Sequence, residues 1–142
     1  MPIIENKELV RRFIEEVVNT GDVGAMAEYV SADCVETDGK LRVVSGIEGM
    51  QQHVLGVRAT YADLHLTIER QIAEGEWVVT QITARGMHTG EWLGIAPTGR
   101  PVVITGVNVD RIVNGRIVEH GGAANMLDAL LEIDAVRPVT ER

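Results

Sequence analysis

"LHLTIERQIAEGEWVVTQITARGM", residues 64–87, reads as two strands joined by a tight turn. Val, Ile and Thr crowd both halves, and "AEGE" (Ala73–Glu76) supplies the connection. Upstream the rhythm is helical. In "ENKELVRRFIEEVVNTGD", residues 5–22, Leu9, Val10, Phe13, Ile14, Val17 and Val18 form one apolar stripe. Asn19-Thr20-Gly21 ends that helix, and Asp22 is placed to cap a short second one sharing a face of Val23, Met26, Tyr29 and Val30. A third helix, "GIEGMQQHVLGVRATYAD" from residue 46, aligns Met50, Val54, Val57 and Tyr61. The switch at Leu64 from helical to strand pattern decides the fold class.

Working outward, residues 34–44 read as irregular strand with a turn at Gly39. Strands are predicted at Leu64–Ile72, Trp77–Met87, Pro101–Val113 and Arg116–His120, with a longer Gly- and Pro-punctuated loop at Gly94–Pro101. A last helix spans roughly Ala123–Ile133. Helices first and an antiparallel meander after them make an α+β domain, one domain over residues 1–142. A long meander curls, and helices on its concave face leave a conical barrel with an apolar interior. Only five residues are aromatic, so side chains fill that cone incompletely and a small-molecule pocket is expected.

The formal net charge is −8 and the pI near 4.9, with scattered rather than clustered Lys and Arg. Such a surface repels a phosphate backbone, which excludes nucleic acid as a partner class. No apolar run approaches the length of a membrane span, and the N-terminus lacks a signal-peptide pattern. The single cysteine, Cys34, forbids an internal disulfide and fits a cytoplasmic location, where it reads as a small core hydrophobe. The four histidines, His53, His65, His88 and His120, show no close metal-ligand spacing, so neither a metal nor another cofactor is expected.

Three stretches carry a family resemblance. "GMHTGEWLGIAPTGRPV", the hairpin "RIVNGRIVEH" and the helix end "FIEEVVNTGD" resemble, in order, segments of the SnoaL-like polyketide cyclases. The resemblance implies the nuclear transport factor 2-like fold shared with ketosteroid isomerases, a curved sheet around a ligand pocket. It also implies a homodimer through the sheet's outer face, in keeping with the two-sided apolar character of Val102–Ile104. The cyclases close a ring by an intramolecular aldol reaction. Their acid/base aspartate stands two residues after the hairpin histidine, and a further acidic residue often follows three positions later. In this chain those positions are Gly122 and Asn125, neither of which exchanges protons near neutral pH.

The remaining candidates are weighed residue by residue. His120 matches the family histidine, and an imidazole suits proton transfer near neutrality. A three-residue turn, Val113-Asn114-Gly115, sets Asn108 opposite His120; a two-residue Asn114-Gly115 turn pairs His120 with Val109 instead. The resemblance favours the first. Asp110 shares a face with Asn108 and either replaces the missing acid inside the cone or pairs with Arg85 or Arg116 at its rim. His88 either lines the pocket or fixes the loop after it. Phe13, Val17, Val54, Val57, Tyr61, Trp92 and Asn125 complete the expected substrate-binding set. Glu36 and Asp38 lie where ketosteroid isomerases carry a proton-shuttling aspartate, or are solvated loop carboxylates. His53 reads as core or surface, and Gly121-Gly122 as a bulge or as room beside a ligand. Two function classes fit. One is a cofactor-free enzyme doing acid/base chemistry beside a carbonyl of a hydrophobic substrate: ring closure or isomerisation first, hydration or hydrolysis next. The other is a non-catalytic binder of a hydrophobic small molecule.

Overall fold

The strand-rich part of the chain builds one six-stranded sheet in the order β2-β1-β6-β5-β4-β3. The strands are β1 (Val30–Asp38), β2 (Leu41–Val44), β3 (Tyr61–Glu74), β4 (Trp77–His88), β5 (Pro101–Val113) and β6 (Arg116–Ala124). The structure, a computed structural model, describes residues 2–38 and 41–140; the turn expected at Gly39 lies outside them, as does the Asp38 side chain. β1 runs parallel to β6, and every other pairing is antiparallel. The sheet curls without closing, so β2 and β3 remain as edges.

Helices α1 (Pro2–Phe13) and α2 (Gly46–Thr60) pack on the sheet, and α3 (Met126–Glu132) follows β6. Val10, Phe13, Ile14 and Val17 from the first helical segment bury against Val78, Ile82, Ile112 and Ile117 of the strands. Each such side chain contributes roughly 1.5–3 kcal/mol when fully buried. Three local expectations shift. Asp22 makes no capping bond; its N–H donates instead to Thr20 Oγ1 at 3.1 Å, and residues Val23–Glu28 form a tighter 3-10 turn. Tyr61 opens β3 rather than ending α2, because its backbone is extended. Ala123 and Ala124 belong to β6, held by pairing with Val107 and Gly106, so the last helix begins only at Met126. In Val102–Ile104 the outer two residues are buried and Val103 alone is exposed, at 39%.

α1 continues into a π-helical turn, Ile14–Val18, closed by Asn19 N–H donating to Ile14 O at 2.9 Å. Gly21, at φ +77°, then turns the chain out of the helix. The freed Asn19 side chain reaches the edge of β3. Its Nδ2 donates to Leu66 O at 3.0 Å, and Leu66 N–H donates to its Oδ1 at 2.8 Å. One amide thus satisfies both backbone groups that the edge strand leaves unpaired at Leu66. Arg58 of α2 locks the same junction by donating to the carbonyls of Val18 and Asn19 at 3.1 Å each. Asn19→Ala should therefore cost about 1–3 kcal/mol, the penalty for leaving partly buried polar groups unpaired. The urea midpoint measures this, and an unshifted midpoint would mean that the junction does not depend on Asn19.

Candidate active site

Between α1, α2 and the concave face of the sheet lies a cavity of about 460 Å³. Phe13, Val54, Val57, Tyr61 and Trp92 line it. Tyr61 and Trp92 meet edge to face, ring centres 5.6 Å apart. Val17 does not line the cavity: it is fully buried in the core, and Val18 takes the place at the wall. The π-helical turn is the reason, since its extra residue rotates the following side chains off the 3.6-residue stripe.

The polar end of the cavity is built by the β5–β6 hairpin. Its turn is two residues long, Asn114-Gly115, both with positive φ, and Val113 pairs with Arg116. Ile112 then pairs with Ile117, but Arg111 pairs with Glu119, so Val118 is an extra residue, a β-bulge. Neither expected register occurs. His120 stands opposite Asp110, and Asn108 opposite Gly122. The bulge restores by another route the outcome that the three-residue turn would have given: His120 and Asn108 share a face, and both line the cavity with Asp110.

His120 Nδ1 and Asp110 Oδ1 are 2.6 Å apart. Asp110 is 2% exposed, and it pairs with this imidazole rather than with Arg85 or Arg116. A carboxylate only accepts, so Nδ1 carries the hydrogen and neutral His120 keeps the lone pair of Nε2, which has no hydrogen-bond partner among the described residues. Burial alone would push the His120 pKa down. The charge of Asp110, the hydrogen bond to it and the charge of Glu36 outweigh that, and the pKa is raised above the ordinary 6.5. A raised folded-state pKa means the pair stabilises the fold fully below about 6.5, and this contribution fades as pH rises through the folded-state value. Proton NMR of His120 should give a midpoint above 6.5, and Asp110→Asn should lower it.

Two expected substrate-binding residues turn out to be scaffold. His88 is fully buried and is not part of the cavity wall. Its Nδ1 accepts from Thr98 N–H at 3.3 Å and lies 2.9 Å from Thr98 Oγ1, which fixes the loop between β4 and β5. Asn125 caps α3: its Oδ1 accepts from Asp128 N–H at 3.2 Å. The glycine pair gives room to neighbouring strands, not to a ligand. A Cβ on Gly121 would lie 1.9 Å from Thr37 Oγ1, and one on Gly122 would lie 2.0 Å from Val107 O at φ +143°. Gly122→Asp should therefore destabilise the fold by at least about 2 kcal/mol through overpacking and backbone strain. Chemical denaturation tests this, and parental stability in the variant would refute the close approach.

Sequence reasoning passed over His53. The structure sets it on the cavity wall, its Nδ1 2.9 Å from Glu36 Oε2. Its ring centre is 6.1 Å from that of His120. Glu36 reaches this place because β1 pairs in parallel with β6, Glu36 opposite His120. No local pattern announces a pairing between strands more than eighty residues apart.

Comparison with known proteins gives this geometry its lineage. The family model for the SnoaL-like polyketide cyclases matches residues 8–133. The chain belongs to that family. It is 32% identical over 114 residues to the aklanonic acid methyl ester cyclase AcmA of Streptomyces galilaeus, covering 78% of each chain. It is 32% identical over 104 residues to the nogalonic acid methyl ester cyclase of Streptomyces nogalater, covering 72% of this chain and 78% of that one. Among solved structures, AclR of Streptomyces galilaeus, described as a candidate hydroxylase, is 28% identical with a TM-score of 0.84, over 98% of this chain and 87% of that one. IdmH of Streptomyces antibioticus, described as a candidate polyketide cyclase, is 27% identical with a TM-score of 0.77, over 91% and 98%.

Proposed function

We propose that this protein catalyses ring closure by acid/base chemistry beside a carbonyl of a hydrophobic, polyketide-like substrate, with His120 as the base. The observation that carries this reading is the His120–Asp110 pair, 2.6 Å apart, at the polar end of an otherwise apolar cavity. An apolar wall suits a polycyclic carbon skeleton, and its desolvation strengthens every charge interaction at the polar end. Asp110 orients the imidazole and raises its basicity, as carboxylates do for histidine bases. His120 Nε2 then takes the proton from a carbon next to a carbonyl. Asn108, on the same face, donates to the oxygen on which charge develops, a contribution of roughly 2.7–4 kcal/mol for one well-placed donor. The acid at position 122 that the resemblance calls for is absent, and the dyad takes over its work.

Relatives are named for aklanonic acid methyl ester and nogalonic acid methyl ester, so these two compounds are the first substrates to offer. Ring-closed product, followed by chromatography, is expected from at least one of them. His120→Ala should lower the rate at least ~10²-fold, the usual span for a general base. Because the base must be neutral and its pKa is raised, the rate should fall on the acid side at a pH above 6.5, and Asp110→Asn should move that limb downward. Turnover by His120→Ala at the parental rate would remove the catalytic reading. Tight binding of both esters with no turnover would favour a non-catalytic binder, the role that a site without its family aspartate equally fits.

A further inference from the structure

Resting on that reading, we infer that His53, held by Glu36, is the general acid of the same site: the protein works with two imidazole–carboxylate pairs that meet at one end of the cavity. The second pair repeats the design of the first. His53 Nδ1 lies 2.9 Å from Glu36 Oε2, as His120 Nδ1 lies 2.6 Å from Asp110 Oδ1. Both rings line the cavity, and they meet at 69° with centres 6.1 Å apart. In each ring a carboxylate occupies Nδ1, and Nε2 has no hydrogen-bond partner among the described residues. Rings this close can serve one reacting fragment, each nitrogen needing to come within about 2.6–3.2 Å of its own target atom.

The two pairs differ in exposure. His120 is 17% exposed and Asp110 2%, whereas His53 is 47% exposed and Glu36 21%. The base sits inside, and the acid stands at the rim, where water can reload it. Titratable groups near the pair include Asp110 on β5, Glu36 and Cys34 on β1, and His120 on β6. The Cys34 thiol is pushed up to about 12, by burial first and then by the charges of Asp110 and Glu36, so it stays neutral and does not compete. Among the described residues no three of these side chains converge as metal ligands would.

Neutral His120 takes the proton from the carbon beside one carbonyl. The electron pair of that C–H bond passes into the enolate of the first carbonyl, which returns it as the new C–C bond to a second carbonyl carbon. The π pair of that carbonyl moves to its oxygen, which takes the Nε2 proton of His53 in its imidazolium form. One proton leaves carbon, one arrives on oxygen, and the positive charge passes from His53 to His120. Exchange with water, first at the exposed His53, restores both rings.

The test separates the two residues by following two events in heavy water: deuterium uptake at the acidic carbon and ring closure, on whichever ester turns over. His120→Ala should abolish both. His53→Phe should leave deuterium uptake in place and lower ring closure at least ~10²-fold, with His53→Gln as the variant closest in volume and polarity. Glu36→Gln should lower closure less, acting through the bond it makes to His53. Ring closure at the parental rate in both His53 variants overturns the second pair; if His120→Ala is still inactive, the base assignment stands alone. Ring-nitrogen NMR decides without a substrate. Neighbouring imidazoles require His53→Gln to shift the titration of His120, and a His120 titration indifferent to that change overturns the proposal.

Discussion

A single extra residue, Val118, governs what this fold presents to its cavity. A strand has a period of two, so inserting one residue exchanges the inward and outward sets for everything beyond it. With an Asn114-Gly115 turn and no bulge, His120 would stand opposite Val109 and point away from Asp110. With Val118 out of register, β6 brings His120 onto the face of Asp110 and Asn108, and sets Glu36 of the parallel strand β1 beside it. The turn therefore fixes where the hairpin reverses, and the bulge fixes which side chains meet the interior. Neither alone produces the site.

The helices impose a comparable constraint from the other side. The π-helical turn at Ile14–Val18 rotates the chain so that Val18 faces the cavity and Asn19 meets the free edge of β3 at Leu66. One irregularity thus shapes the apolar wall and anchors the helical layer to the sheet. Two of the molecule's departures from regular geometry thus lie where the cavity is made, one in a helix and one in a strand.

Much of this was legible in the residues. Strand composition located β3, β4 and β5 to within a few positions, and the stripes of α1 and α2 marked Phe13, Val54 and Val57 at the cavity wall. Asn114-Gly115 identified the hairpin turn. What escaped depended on single-residue irregularities or on distant pairing. Val17 and Val18 are both apolar, and only the π-helical turn decides between them. The Val118 bulge leaves no signature, because Val suits a regular strand equally well. Glu36 was placed only through the resemblance, as a shuttling or a solvated carboxylate, and nothing in the sequence couples it to His53. His88 was readable as either a pocket or a loop residue, and only its bond to Thr98 separates the two.

Gly122 carries a consequence for the chemistry this cavity can hold. A β-carbon there would meet the Val107 carbonyl so closely that no side chain of any chemistry fits without moving β5. The neighbouring Gly121 against Thr37 tightens the same seam on the other edge of β6. The hairpin is thus zipped shut at the very position where a carboxylate would have to stand, and the imidazoles and carboxylate that reach the cavity do so from elsewhere on its wall, at His53, Asp110 and His120.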